Sequence, residues 1–220
     1  MKARAWREAI DRDQMIIDLQ LPDYDVVLAV HKIVDADLVT TFAAARDLDF
    51  LTVRTPLLDT AMWLRGLPDR LRHRTAPPLA KLTLADGAGL PGWLSLGVRQ
   101  DNELAFGAVG KFWQANIEWR DVPQAEYRDF REPGWGKIAC NFTVRAYGAD
   151  RTLLTYECRT ATTDAGARRQ FARYWWLIRP FVAHIMRAAV STIAVNASRA
   201  EMTRKRTWST SLGSSSLGHS

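Results

Sequence analysis

The stretch RYWWLIRPFVAHIMRAA, Arg173 to Ala189, decides the fold. It sets two tryptophans, a proline and an apolar run between arginines, a composition that fits a membrane span, a core helix or a helix closing over a ligand. A span needs roughly 20 predominantly apolar residues, and Arg173, Arg179, His184 and Arg187 interrupt this one. At a helical step of about 100° per residue, Phe171, Trp175, Ile178, Val182, Ile185, Ala189 and Ile193 share one face, flanked by Tyr174, Phe181 and Met186. Arg169, Arg173, Pro180, His184, Arg187 and Ser191 fall opposite. Pro180 cannot donate to the carbonyl of Trp176 and crowds it, so a kink is expected there. The proline lies on the polar side, and bending away from it curves the apolar face inward. The stretch therefore reads as a long amphipathic helix wrapped over a concave surface.

Working outward, the helical pattern opens at Ala165 behind a capping Asp164 and ends near Ser198. Before it the period changes to two. Six segments read as strands: LAKLTLAD (79–86), WLSLGVRQ (93–100), ELAFGAVG (103–110), NIEWRDV (116–122), KIACNFTVRAY (137–147) and TLLTYECRTAT (152–162). Turn chemistry such as QDN and YGAD separates them, as in consecutive antiparallel hairpins. Further upstream, YDVVLAVHKIV (24–34) is β-branched and reads as a strand. It is followed by a helix over Asp35–Leu48 with Asp35 or Asp37 as cap, and by a second helix over Pro56–Arg65 that Gly66 and Pro68 stop. Residues 1–22 read as an N-terminal extension with weak helical spacing, 23–200 as one domain, and 201–220 as a basic, then Ser/Gly-rich, disordered tail.

The last hairpin can be registered. If Lys137–Ala146 pairs with Thr152–Ala161 around the YGADR turn, closing the loop with Ala146 opposite Thr152 sets Cys140 opposite Cys158. Ile138, Cys140, Phe142 and Val144 then share a face with Leu154, Tyr156, Cys158 and Thr160, turned toward the long helix. Lys137, Asn141, Thr143 and Arg145 take the other face. The two cysteines are expected to be neighbouring, buried and unbridged, because direct opposition strains a disulfide and a reducing cytosol keeps thiols free.

The element order, strand, two helices, about six strands and a long terminal helix, resembles the helix-grip fold of the START-like or SRPBCC superfamily. This superfamily includes Bet v 1-like proteins, polyketide cyclases and lipid-transfer domains. HKIVDADLVTTFAAARDLD (31–49) looks like its opening strand and helix, and TLLTYECRTAT with FARYWWLIRPFVAHIMRAA looks like its last strand and closing helix, most closely in actinobacterial-type members. The resemblance spans Tyr24 to about Ser198 and implies an α+β helix-grip fold. Its expected form is an antiparallel sheet of about six or seven strands wrapped around a long kinked C-terminal helix, with two short helices after the first strand. It also implies a cavity between sheet and helix for an apolar or amphipathic small molecule. The superfamily has no universal catalytic signature to carry over.

The residues expected at that ligand are Phe106, Phe112, Trp113, Trp119, Phe142, Tyr156, Thr160, Tyr174, Trp175, Ile178 and Val182. A filled aromatic core is the plainer reading for the rings, and an ordinary backbone or water partner for the Tyr156 and Thr160 hydroxyls. Other signals are weaker. GAGLPG (87–92) matches a dinucleotide-loop pattern but leads into a strand, so it reads as a hairpin loop. Among His31, His73, His184 and His219 no metal-ligand spacing appears, and neither metal nor cofactor is expected. His31 is taken as a core or surface histidine, and His184 as projecting outward with the arginines. Trp135 in PGWGKIACNF reads as a turn anchored by its indole in preference to a mobile gate. Trp176, toward the polar face, is either a partner, membrane or dimer contact or packed under the N-terminal extension, with packing preferred.

The chain has 220 residues, 47% of them hydrophobic, and a formal charge of +6. Its basic residues cluster at residues 2–12, 65–74 and 199–206, which reads as solvated faces, and no nucleic-acid partner is expected. No secretory signal or transmembrane segment is read, so the expected setting is cytoplasmic. The expected function is binding or carriage of a hydrophobic or amphipathic molecule, lipid or polyketide-like. The alternative is a polyketide cyclase or dehydratase using the same cavity. Peripheral membrane contact and a homodimer are both compatible with this reading.

Overall fold

The structure, a computed structural model, describes residues 14–49, 92–114 and 116–215. The helix expected at Pro56–Arg65, the strand LAKLTLAD, all of GAGLPG before Gly92, and the arginines at 65–74 lie outside them. The described elements are α1 (Ile16–Gln20), β1 (Val26–Val34), α2 (Leu38–Arg46), β2 (Trp93–Arg99), β3 (Glu103–Gly110), β4 (Trp119–Arg120), α3 (Gln124–Tyr127), β5 (Gly136–Ala146), β6 (Thr152–Thr162) and α4 (Ala165–Ser215). The β strands form one antiparallel six-stranded sheet in the order β1-β6-β5-β3-β2, with β4 paired to the end of β3. This is the α+β architecture expected: an open antiparallel sheet packed against a long C-terminal helix.

The hairpin register is as read from the sequence. Ala146 pairs with Thr152, Phe142 with Tyr156, and Cys140 with Cys158. Side chains alternate across a strand, so this register fixes both faces of the sheet. The inner face carries Leu104, Phe106, Cys140, Phe142, Val144, Leu154 and Tyr156, which pack with Met186, Ala189, Val190, Ile193 and Ala197 of α4 and with Phe42 and Ala45 of α2. Asp37 caps α2 by accepting from the Thr40 amide at 2.8 Å, and its ion pair with Arg204 at 2.6 Å ties that cap to α4. Asp164 caps α4, accepting from Gly166 (2.6 Å) and Ala167 (3.0 Å) and also from Gly134. Pro180 lies inside α4 on an exposed side. The helix runs past Ser198, where the sequence pattern placed its end. Glu201, buried and paired with Arg204 (2.8 Å) and Lys205 (3.4 Å), stabilises the added turns.

The outer face is covered as well. Lys137, Asn141 and Thr143 alternate with the inner set as read, and they too are buried. The cover is the end of the supposed extension together with α3. Ile16, Ile17 and Leu21 pack on Leu96, Ala105, Val109, Tyr127, Trp135 and Ala139. Glu103 supplies the clamp: its carboxyl group accepts from the amides of Ile16 (2.6 Å) and Ile17 (3.1 Å) and from Asn141 Nδ2 (2.7 Å). Arg159 supplies another, pairing with Asp18 at 2.7 Å and Glu157 at 2.6 Å beneath the Tyr24 ring. Tyr127 lies over Gly107, where a Cβ would sit 2.6 Å from the Ile138 carbonyl, and its hydroxyl donates to that same carbonyl at 2.7 Å.

Among the described residues one stretch, Ala165–Thr207, is long and apolar enough to cross a membrane by length and composition. Here one side of it lies along the sheet, with Met186, Ala189, Val190 and Ile193 buried in the inner cluster.

Candidate functional site

The inner face presents a tier of aromatic rings. Phe142 and Tyr156, directly paired across β5 and β6, have ring centroids 4.3 Å apart. Phe106 adjoins both, at 6.0 and 6.3 Å, and Trp93 extends the tier 5.7 Å further. Trp119 lies 6.4 Å from Trp93, and Phe112 5.9 Å from Trp119. Two opposed glycines make room for Phe112: a Cβ on either Gly110 or Gly136 would stand 3.0 Å from its ring. Such offset and tilted ring pairs gain from quadrupole complementarity as well as from area burial.

A second aromatic group belongs to the first turns of α4. Phe171 contacts Trp113 at 6.4 Å, Tyr174 at 6.5 Å and Trp175 at 5.8 Å. The residues singled out in the sequence thus divide into two groups. Phe106, Phe112, Trp119, Phe142 and Tyr156 belong to the sheet tier, and Trp113, Tyr174 and Trp175 to the helix group. Thr160 is buried one step beyond Cys158, paired with Ile138. Ile178 and Val182 are half-buried, and Val182 packs against the inner cluster. Sequence reading missed Trp93, Leu28 and Val30, and placed Ile138 and Cys158 on this face without counting them as ligand residues; all five are half-buried against the same cluster. The signal for Trp93 was available, since it opens a strand directly opposite β3.

The polar chemistry of this face is sparse. Burial pushes the Tyr156 hydroxyl well above its ordinary range, and it lies within hydrogen-bonding reach of the Cys140 thiol. Burial likewise raises the Cys140 thiol, reinforced by the neighbouring Cys158. Both cysteines are free, Cys140 buried as expected and Cys158 only half-buried. At neutral pH the Tyr156 hydroxyl and the Cys140 thiol are uncharged, offering donors in an apolar wall.

On the outer face a groove of about 520 Å³ runs between Gln20–Asp25, Arg128–Arg131 and the start of α4. Lys137 lines it. Its ammonium donates to the Arg128 carbonyl at 2.8 Å and sits 4.8 Å from the Tyr127 ring centre. Burial, aided by Arg131, lowers its pKa to about 8. Arg168 closes the far side in an ion pair with Asp25 at 2.7 Å.

Other expectations are corrected or located. Trp176 is 83% exposed, not packed under the N-terminal segment, whose described part crosses the opposite face of the sheet. His184 does not project freely: its Nε2 is buried and has no hydrogen-bond partner. His31 is a surface residue bonded to Thr155 Oγ1 at 2.8 Å. Trp135 is buried, edge-on to Phe130 at 6.5 Å with Lys111 4.5 Å above its ring, an anchored turn as preferred. Among the described residues no cluster of three or more histidine, cysteine or acidic side chains could hold a metal ion.

No family model matches the chain, and no curated protein matches it. Among solved structures it is similar to a protein from Arthrobacter aurescens determined by solution NMR. The two are 12% identical, the match covers 85% of this chain and 90% of that one, and the TM-score is 0.37. It is also similar to CalU16 from Micromonospora echinospora, at 13% identity, 80% and 86% coverage and a TM-score of 0.27. Superpositions this loose carry no inference about function.

Proposed function

We propose that the chain is a START-like (SRPBCC) protein that holds a hydrophobic or amphipathic small molecule, lipid or polyketide-like, between the inner face of the sheet and α4. The observation that carries this reading is the aromatic tier from Tyr156 to Trp93, bordered by apolar side chains that the helix leaves half-covered: Leu28, Val30, Ile138, Cys158 and Val182. A packed core buries such residues fully, whereas a ligand site is mostly apolar with a few convergent polar groups. Tyr156, Thr160 and Cys158 would be those groups.

The test is displacement of an environment-sensitive naphthalene-sulfonate dye by fatty acids or polyketide-like aromatics. Ile138→Trp on the sheet and Val182→Trp on the helix would add bulk against the inner cluster from the two elements that flank it. Loss of binding in both, with melting cooperativity retained, supports the reading, and unchanged binding in both overturns it.

The neutral Tyr156 hydroxyl beside Cys140 favours a second reading, a cyclase or dehydratase in which it donates to a substrate carbonyl. Tyr156→Phe would then cost about 10²-fold in rate with binding retained, whereas a carrier would show only a modest change in affinity.

A further inference from the structure

The outward side of α4 is unusual for a surface. Trp176 is 83% exposed, Leu177 61% and Phe181 38%. Helical spacing sets these residues with Pro180 on the side opposite Met186, Ala189 and Ile193, which are buried in the inner cluster. From Ala165 to Ala200 the helix carries six arginines and no acidic residue. Arg168 is paired with Asp25, but Arg173, Arg179 and Arg187, which surround the apolar patch, form no ion pair among the described residues.

We propose that this patch docks the protein onto the surface of a bilayer containing anionic lipid, with the Trp176 indole and the Leu177 and Phe181 side chains entering the headgroup region. Tryptophan prefers that boundary because its body is apolar and its N–H can still reach a polar partner. Arginines flanking an apolar patch can keep their guanidinium groups among lipid phosphates while their stems cover apolar surface. A second copy of this chain fits less well. A two-fold interface would set the same face against itself, arginine against arginine, with no acidic residue on this part of the helix to offset them. The docked helix lies flat, since its other side remains packed on the sheet. This placement is independent of the cavity reading and uses a different face of the helix.

The test is flotation of the full chain with vesicles of phosphatidylcholine alone and with about one third of the lipid replaced by phosphatidylserine. The expected result is binding to the anionic vesicles that weakens with added salt. The double variant Trp176→Ser/Phe181→Ser should reduce partitioning by about tenfold or more. Both side chains project outward, so its thermal unfolding should stay close to that of the parent, and Val27→Ser, an exposed change on β1, should float normally. Equal flotation of parent and double variant overturns the proposal. So does failure to bind anionic vesicles at low salt, or a concentration-dependent dimer that the double variant abolishes.

Discussion

Glu103 on β3 accepts the backbone amide of Ile16 at 2.6 Å, so a fully buried carboxyl group holds the first described helix onto a strand that begins 87 residues later. Ile17 at 3.1 Å and Asn141 at 2.7 Å complete its coordination. Replacing the side chain leaves three buried donors without that acceptor. Glu103→Ala is expected to lower unfolding free energy by about 2–4 kcal/mol in urea titrations. It should also speed amide exchange at Ile17 and Leu21 more than at Cys140. A change below about 0.5 kcal/mol, within the usual range of surface substitutions, would show that α1 is held by apolar packing alone.

Lys137 gives a pH signature. Its pKa falls from 10.5 to about 8 because burial, with Arg131 nearby, disfavours the charged form. Between these values the unfolded chain binds the proton that the folded chain has released, so stability should rise as pH increases through this window. Thermal melts of the parent and of Lys137→Met, compared from pH 7 to above pH 10, should show the parent gaining stability relative to the variant, on top of the loss that both share as the buried Tyr156 and Cys140 come to ionise on unfolding. Parallel curves would contradict this account of the outer groove.

The cysteine pair gives a reactivity order. Cys140 is buried with its thiol raised well above the ordinary range, while the opposing Cys158 is half-buried. Thiolate fraction and access both control alkylation. Native protein should react with iodoacetamide first at Cys158, and about tenfold or more slowly at Cys140, read by peptide mass mapping. Modification of Cys140 first would contradict the inner-face geometry.

Legibility followed the strength of local signals. The short YGADR turn favours the register that closes it most tightly, with an offset of two residues as the competing one, and the observed pairing sets Cys140 against Cys158 and Phe142 against Tyr156. The TLLTYECRTAT strand was readable to its ends because alternation and turn residues agree there. The outer face was hidden because Lys137 and Asn141 look like solvent-facing polar residues, and only tertiary structure reveals the cover contributed by Ile16 and Ile17. One clue was present: Glu103 is the only charged residue in an otherwise apolar β3. Trp176 was misplaced for a related reason, since periodicity indicates which way a side chain points but not whether another segment covers it. Of the candidate ligand residues, Phe142, Tyr156 and Thr160 were readable from strand alternation, whereas Phe106, Phe112 and Trp119 were named for their bulk. Their division from the helix group centred on Phe171 depends on contacts between distant segments, which no local pattern encodes.

The central claim is that the aromatic tier and α4 hold a hydrophobic guest between them. Native mass spectrometry of the gently purified chain, equilibrated with a total lipid extract, tests it most directly. The account predicts a reproducible added mass at one-to-one stoichiometry that disappears on denaturation and is absent from Ile138→Trp. The bare chain mass in every spectrum, with the parent and Ile138→Trp indistinguishable, would contradict it.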